Sequence, residues 1–344
     1  AKSLAKTGHL CFGTMDSFLI WKLTDGKSFK TDPSNASRTM LYNLKKKIFD
    51  PELLRLFKVK PDMLAEIEDS NGHFGVTAKV PGLIDGIPIH GVAGDQQAAL
   101  FGQVGVKKGD AKITFGTGSF LLFNTGSVPV ASNKGLLTTV AWQLKGKPMS
   151  YALEGGAFIC GAAVQWLRDG MELFSQSSDV ETLARKVETA EGVEFVPALT
   201  GLGAPHWRPE ARGVITGLTR GTTRAHIARA TLEAMALQNV DILKTMTVES
   251  KTRMSKVRVD GGATANELLM QLQADYLGIS IQKPENIETT SAGAALLAGL
   301  GVGVWSSVKE LEAINPVAHE YKSKMTASAR KSRLLSWHRA VAKA

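Results

Sequence analysis

Cysteine is nearly absent: the 344 residues hold two, Cys11 and Cys160, far apart in the chain. A disulfide framework cannot be built on such a pair, so a reducing compartment is the simplest expectation, and the apolar surroundings of both thiols read as core positions. Long apolar runs are missing too. No stretch reaches the roughly 18 uninterrupted apolar residues a spanning helix needs, and the first residues lack the apolar region of a secretory signal. Membrane insertion is therefore not expected, and the cytoplasm is the expected location. The final Ala342-Lys343-Ala344 lacks the terminal Leu of a peroxisomal address, and the chain opens on Ala1-Lys2 rather than Met. There is no internal repeat and no low-complexity linker. His73, His90, His206 and His226 have no Cys or His at ligand spacing, which leaves no metal site to argue for and makes them structural. No Gly-x-Ser-x-Gly elbow is present, and the catalytic loop of protein kinases is absent as well.

What is there is an ordinary globular composition, 44% hydrophobic and 21% charged, in a chain long enough for two lobes and a sizeable core. The formal charge of +9 raises the question of nucleic acid, but the 41 Lys and Arg residues are dispersed. Their denser groups, Lys45-Lys46-Lys47 and the stretch from Lys322 to Lys343, are not interleaved with the aromatics of a stacking groove. A solvated basic face, or attraction of small phosphorylated molecules, accounts for the sign. Glycine is the outlier, 34 residues with several in clusters such as Gly116-Thr117-Gly118 and Gly261-Gly262. Such clusters let backbone approach a ligand closely.

The pattern alternates strands and helices. A helix over 18–23 and strands over 38–42 and 89–93 open the chain. Residues 111–115 and 119–124 form a strand pair about a Gly-Thr-Gly turn, followed by strands over 138–143 and 149–153. The mixture of small and bulky apolar residues over 155–171 reads as a buried helix. A long amphipathic helix over 223–245 is capped by Thr222 or Thr223. Residues 257–277 read as strand, sharp turn and helix, and the Ala- and Gly-rich stretch 289–303 as a tightly packed helix. Every Gly-rich turn lies at a strand end, which indicates an α/β protein binding its ligand there, with a soft lobe boundary over 102–109.

Four stretches could carry chemistry. In GDQQAALFGQ (94–103), Asp95 stands at a strand-to-helix junction, where a carboxylate can take a proton from a hydroxyl or can simply cap the helix. Gln96 and Gln97 add amides suited to several hydroxyls. In ITFGTGSFLLFNTG (113–126), the glycines around Thr117 could bring backbone N–H groups to an anion, or could form only a hairpin turn; Phe120 could line a pocket or belong to the core. In the segment 257–266, which ends in VDGGATAN (259–266), the turn at Asp260-Gly261-Gly262 sets a helix start, with Asn266 in its first turn, against a ligand. It is neither a Walker loop nor a Rossmann fingerprint. In EGGAFICGAAVQWLRD (154–169), Gly161 and Gln165 share one helical face, open to a ligand or used for packing, and Trp166 reads as core.

In order, these stretches, together with FGTMDSFLIWKLTDG (12–26), TDPSNASRTMLYN (31–43) and GLGAPHWRPEARGVITGLTRG (201–221), closely resemble the FGGY family of carbohydrate kinases, and within it the glycerol kinases. That family belongs to the actin-like, ribonuclease H-like ATPases, and the match runs nearly end to end. Gly217, His226 and Glu233 are spaced as in the family's C-terminal signature, and the Gln-Gln after Asp95 favours glycerol over xylulose or gluconate. The resemblance implies an α/β, ribonuclease H-like two-lobed kinase. Residues 1–103 are expected to be the remaining part of the polyol-side domain, and 104–344 the nucleotide-side domain. It implies ATP-dependent phosphorylation of glycerol to sn-glycerol 3-phosphate. Asp95 is then the general base, Gln96 and Phe120 touch glycerol, Thr117 contacts phosphate, and Gly161, Gln165, Gly262 and Asn266 contact the nucleotide. ATP, Mg²⁺ and glycerol are the implied small molecules, self-association is the implied assembly, and Asp260 shapes its turn rather than performing chemistry.

The departures from the family are also plain. Its members begin with a strand, a Gly-Thr-Thr phosphate-binding hairpin and further polyol contacts that do not precede Ala1, so weak or no activity is expected of this polypeptide alone. The alternatives are a non-catalytic nucleotide-binding remnant or a kinase for another polyol or sugar. Residues 79–86 lack the Gly-rich, Arg-bearing loop with which some bacterial relatives bind an inhibitory sugar bisphosphate, so that regulation is not expected.

Overall fold

A computed structural model of the chain describes residue 4 and residues 10–344. Both faces of β1 (Asp110–Phe115) are buried, one apolar with Ala111, Ile113 and Phe115 and the other polar with Asp110, Lys112 and Thr114, as befits a strand covered on each side. It lies in the middle of a seven-stranded sheet with β2 (Ser119–Gly126), β3 (Leu137–Trp142), β4 (Ser150–Ala157), β5 (Lys256–Asp260), β6 (Ile281–Pro284) and β7 (Val317–Tyr321), in the order β7-β6-β5-β1-β2-β4-β3. The hairpin from β1 to β2 is antiparallel, with Thr114 opposite Phe120, while β5 joins β1 in parallel, with Val259 opposite Ile113. The parallel pair needs a crossover, and α3 (Arg224–Ser250) lies on that path.

Two helical layers enclose the sheet. The helices in chain order are α1 (Asp95–Gly102), α2 (Gly161–Asp169), α3, α4 (Glu267–Leu277), α5 (Thr289–Gly301) and α6 (Ala327–Val341). On one face α3 and α4 bury Leu232, Met235, Val240, Ile242 and Leu269 against Ile113, Phe115, Leu121 and Phe123. On the other, α1 and α5 bury Leu100, Phe101, Leu296 and Leu297 against Leu122 and Trp142. Thr223 starts α3: its hydroxyl accepts from the Ala225 N–H at 3.3 Å, and His226 Nδ1 accepts the Thr223 N–H at 3.0 Å, which closes a capping box. The polar segment ahead of α1 is tied to the sheet edge formed by β3 and β4. Arg38 meets Glu154 through both guanidinium nitrogens (2.8 and 3.2 Å), and the Tyr151 hydroxyl donates to the Leu44 carbonyl at 2.7 Å. Among the described residues no helix is long and apolar enough to cross a membrane.

Several sequence expectations are corrected. The first helix begins earlier, at Met15–Leu23, while the strand expected over 38–42 shrinks to Tyr42–Asn43 and that over 89–93 to Pro88–Ile89. The remaining residues lie in turns or irregular backbone outside any ladder, with Val92 N–H on the Ser70 carbonyl at 2.9 Å. Within the polar stretch ahead of them, Pro33–Ala36 forms one helical turn, because Asp32 accepts the Ser34 and Asn35 N–H groups. The helix expected over 155–171 starts only at Gly161. Gly155 and Gly156 belong to β4, where a side chain on Gly155 would press on Ile242 of α3 at 2.7 Å. Cys160 is buried, and burial pushes its thiol up to about 12, but Cys11 is exposed, contrary to the core reading.

The tightest packing is the crossing of α1 over α5. A Cβ on Gly293 would fall 1.8 Å from the Ala98 carbonyl oxygen, and one on Gly102 would fall 2.0 Å from the Thr289 carbonyl oxygen. Backbone is in contact with backbone, so no flexible side chain can give way. Gly293→Ala is therefore expected to destabilise the chain by about 1–3 kcal/mol through overpacking, against the gain of about 1 kcal/mol that Ala brings to a free helix. The measurement is the urea midpoint; an unchanged midpoint would show that the two helices can separate at no cost.

Candidate active site

Asp95 is the first residue of α1, and Gly94, which has no side chain to offer, is the cap. The carboxylate is exposed; its Oδ1 accepts the Gln96 N–H at 2.7 Å, and its Oδ2 lies 3.4 Å from the Gln96 amide nitrogen. The residue thus uses part of its acceptor capacity locally and keeps the remainder open to solvent. The loop in front is anchored from below: the Gly94 N–H donates to Ser34 Oγ at 2.8 Å, and Ser34 and Ser70 both donate to the buried Asp32 (2.8 and 2.7 Å). Burial raises the Asp32 pKa, opposed by these hydrogen bonds. The neighbouring glutamines divide. Gln97 is buried and donates to Thr139 at 3.1 Å, so only Gln96 remains for a ligand.

The Gly116-Thr117-Gly118 turn is clasped to the start of α2. The Cys160 and Ala162 N–H groups donate to the Thr117 carbonyl at 2.8 and 3.0 Å, and the Gly161 N–H donates to the Gly116 carbonyl at 3.0 Å. Gly161 is therefore required by packing, because a Cβ would fall 2.7 Å from the Gly116 oxygen. Thr117 itself is exposed at the tip. Across from it the Asp260-Gly261-Gly262 turn needs its first glycine for geometry, since φ is +89° and a Cβ would meet the Phe115 carbonyl at 2.4 Å. Gly262 faces open space instead. Residues Gly262–Ala265 form a 3-10 turn, and Asn266 caps α4 by accepting the Leu269 N–H at 2.8 Å.

Between these turns lies a cavity of about 440 Å³ whose lining includes Thr117, Gly161, Gln165, Gly262 and Asn266, so all five residues expected to meet the nucleotide come together. Its walls are otherwise largely apolar, with Val164, Val180, Leu232, Met235 and Leu269. The α4 N-terminus, offered by sequence as a place for phosphate or for hydrogen bonds to a nucleotide, is occupied: Glu181 accepts the Glu267 and Leu268 N–H groups at 3.2 and 3.1 Å. A carboxylate there repels phosphate. The cavity therefore has an apolar end suited to a nucleoside and a glycine end at Thr117 suited to phosphates. A wider groove of about 980 Å³ among Tyr42, Phe49, Leu64 and Met149 holds none of the expected site residues.

Asp95 and Gln96 lie outside this cavity and are joined to it by β1. Lys112, fully buried at 0% exposure, extends from that strand to donate to Gln96 Oε1, and to Thr114 Oγ1 at 2.7 Å. Three residues further, the same strand ends in Phe115, which lines the cavity. Burial drives the Lys112 pKa down to about 8, against the pull of Asp260, Asp95 and Glu154. Sequence reasoning passed over this lysine, although a lone charge between Ala111 and Ile113 in an apolar strand was the available signal. Phe120 is 45% exposed on β2, which removes the core alternative. Trp166 is half-buried and stacks on Phe195 with ring centroids 5.7 Å apart. Asp260, 2% exposed, accepts from Gln103 at 2.6 Å and from the Thr289 hydroxyl. Among the described residues no group of three His, Cys, Asp or Glu could hold a metal ion.

Comparison with known proteins agrees with this geometry. The profile of the FGGY family of carbohydrate kinases, N-terminal domain, matches residues 2–102, and that of its C-terminal domain matches residues 111–302. The glycerol kinase of Bdellovibrio bacteriovorus is 62% identical over 341 residues, covering 99% of this chain and 69% of that protein. That of Myxococcus xanthus is 50% identical over 345 residues, covering 100% of this chain and 70% of that protein. Among solved structures, Plasmodium falciparum glycerol kinase with ADP superposes with a TM-score of 0.95 at 37% identity, over 99% of this chain and 68% of that chain. Xylulose kinase from Lactobacillus acidophilus, at 21% identity and a TM-score of 0.83 over 95% of this chain and 66% of that one, shares the fold. The chain belongs to the FGGY family of carbohydrate kinases.

Proposed function

We propose that this chain carries the working parts of an ATP-dependent glycerol kinase, which transfers the γ-phosphoryl group of ATP to a primary hydroxyl of glycerol and yields sn-glycerol 3-phosphate and ADP. The observation that carries the reading is the joining of two half-sites by one strand: a nucleotide-sized cavity opens at the tip of β1, and an exposed carboxylate stands beside the buried lysine of the same strand. The high identity to glycerol kinases over nearly the whole chain selects glycerol among the substrates of the family. Residues 1–103 supply the polyol side and 104–344 the nucleotide side.

The chemistry follows from these positions. Asp95 accepts the proton of the attacking hydroxyl, that oxygen forms its bond to the γ-phosphorus, and the bond from the γ-phosphorus to the β–γ bridging oxygen breaks, leaving the electron pair on ADP. Gln96 donates from its amide to a glycerol hydroxyl, and Phe120 presents an apolar edge to the carbon backbone. Thr117 donates to a phosphate oxygen from the glycine turn, while Gly161, Gln165, Gly262 and Asn266 border the nucleoside. Mg²⁺ would enter as part of the substrate on the ATP phosphates and would spread their charge. A cytoplasmic location and a homo-oligomer belong to the same reading.

Two predictions test it. ADP release is measured with glycerol for this chain, and for the chain joined to the part of the Bdellovibrio bacteriovorus enzyme it does not match. In whichever form turns over, Asp95→Asn should lower kcat on the order of 10²–10⁴-fold and leave ATP affinity unchanged; an unaltered kcat would remove Asp95 from the chemistry. On the nucleotide side, Gly262→Val places a branched side chain into the cavity and should weaken ATP binding at least about tenfold, roughly 1.4 kcal/mol. Asn266→Asp keeps the oxygen that caps α4, loses the amide donor and adds a negative charge. It should weaken ATP binding without lowering the melting temperature, and equal affinity in both variants by calorimetry would place the nucleotide elsewhere.

A further inference from the structure

We infer that Lys112 is a positioning residue of the phosphoryl transfer: from inside the sheet it fixes the orientation of the Gln96 amide and holds a positive charge behind Asp95. The inference rests on the glycerol kinase reading above and deepens it.

An amide side chain is nearly symmetric in shape but not in chemistry, with an acceptor on one arm and two donors on the other. An ammonium group has donors only. Lys112 Nζ therefore meets Gln96 through the amide oxygen, as the structure has it, and the Gln96 NH₂ is left to point the other way, where it lies 3.4 Å from Asp95 Oδ2. The order is directional, Lys112 to Gln96 to Asp95, and each group in it has one arrangement that satisfies it. Thr114 Oγ1 takes a second Lys112 proton at 2.7 Å and fixes the ammonium from its own strand. If the amide were reversed, its oxygen would face the Asp95 carboxylate and its NH₂ would face the ammonium. Both contacts would be repulsive.

The surroundings match this role better than a purely structural one. A lysine at 0% exposure in a strand carries a desolvation cost that an apolar residue of the same length would avoid. The charged groups that face it come from three separate elements: Asp95 of α1, Asp260 at the end of β5, and Glu154 of β4, the last held by Arg38. Lys112 is thus a buried cation among carboxylates that approach it from both the polyol side and the nucleotide turn. In a water-poor interior its charge acts on Asp95 and on an incoming phosphoryl group more strongly than a surface lysine could. Burial also lowers its pKa to about 8. Below that pH it is an ammonium with donors only; above it the neutral amine can accept as well, and the amide loses its enforced direction.

The test uses the form of the protein that phosphorylates glycerol in the assay above. Lys112→Met should reduce kcat on the order of 10–10²-fold, with ATP affinity by calorimetry within about twofold of the unsubstituted protein. Lys112→Gln retains a donor for Gln96 without the charge, and should restore part of kcat. The pH profile supplies a readout that a packing role would not move: kcat/KM for glycerol should fall as pH rises through about 8 in the unsubstituted protein, and this limb should be missing in Lys112→Gln. Lys112→Met with kcat/KM within about twofold of the unsubstituted protein overturns the inference. So does an alkaline limb that persists in Lys112→Gln, or a profile with no such limb at the start. If both variants unfold, by circular dichroism, Lys112 is structural and the inference is again overturned. If the unsubstituted protein binds ATP but never phosphorylates glycerol, the function reading fails and this inference fails with it, whereas full turnover with indifferent variants removes the inference alone.

Discussion

The arrangement depends on a carboxylate that has almost no contact with water. Asp260 ends β5 and is 2% exposed; it accepts from Gln103 just past the end of α1 and from Thr289 at the start of α5, while Lys112 lies within reach of its charge. Its Oδ1 has no hydrogen-bond partner. A buried carboxylate tolerates this only where the surrounding groups are fixed, and leaving such a group without one of its donors typically costs about 1–3 kcal/mol or more. The result is a single polar point where the nucleotide turn, two helices and the central strand meet. Gly102 and Gly293 let the two helices come close enough to reach it. Any displacement of the Gly261-Gly262 turn is thereby felt at α1, whose other end carries Asp95.

The chemistry divides along this frame. Around the cavity the glycine turns are fixed by what a side chain would strike, since backbone is packed on backbone: Gly161 against the Gly116 carbonyl, and Gly261 against Phe115. On the polyol side the proposed chemistry rests on one carboxylate and one amide. The family's C-terminal signature belongs to neither. Gly217 has φ +80° and would place a Cβ 2.0 Å from the Gly192 carbonyl, His226 completes the cap of α3, and Glu233 pairs with Arg229 and Arg333, the latter tying α6 to α3 and to Glu194. His226 and Glu233 secure the long helix that floors the cavity through Leu232 and Met235.

Much of this was legible in the chain, and the limits have physical causes. The β1–β2 hairpin, the turn after β5 and the cap of α3 could be read because each is a local matter of apolar alternation, glycine placement or a capping hydroxyl. The strand expected over 89–93 failed because its residues are held by distant partners, Val92 N–H on the Ser70 carbonyl and Gly94 N–H on Ser34, which no local pattern announces. Gly155 and Gly156 looked helical because small residues suit close helix packing, but a strand passing beneath α3 makes the same demand. Gln96 and Gln97 are indistinguishable in sequence; the helix period turns one toward Lys112 and the other into the interface with Thr139. Cys11 fails the same way, since apolar character does not say which face of an element is covered.

The burial of Lys112 follows from the same geometry. On the proposed chemistry an anionic carboxylate and a polyanionic triphosphate approach one hydroxyl, and their repulsion is the obstacle that the fold has to reduce. A surface cation would be screened within about 10 Å at moderate salt and could be displaced by substrate. A cation buried in the strand is less screened and is not displaced. The desolvation cost of that placement is partly offset by the carboxylates that face it, one of which, Asp260, also accepts from Gln103 just past α1 and from Thr289 at the start of α5. The same charge that eases the encounter therefore stabilises the frame that sets its distance.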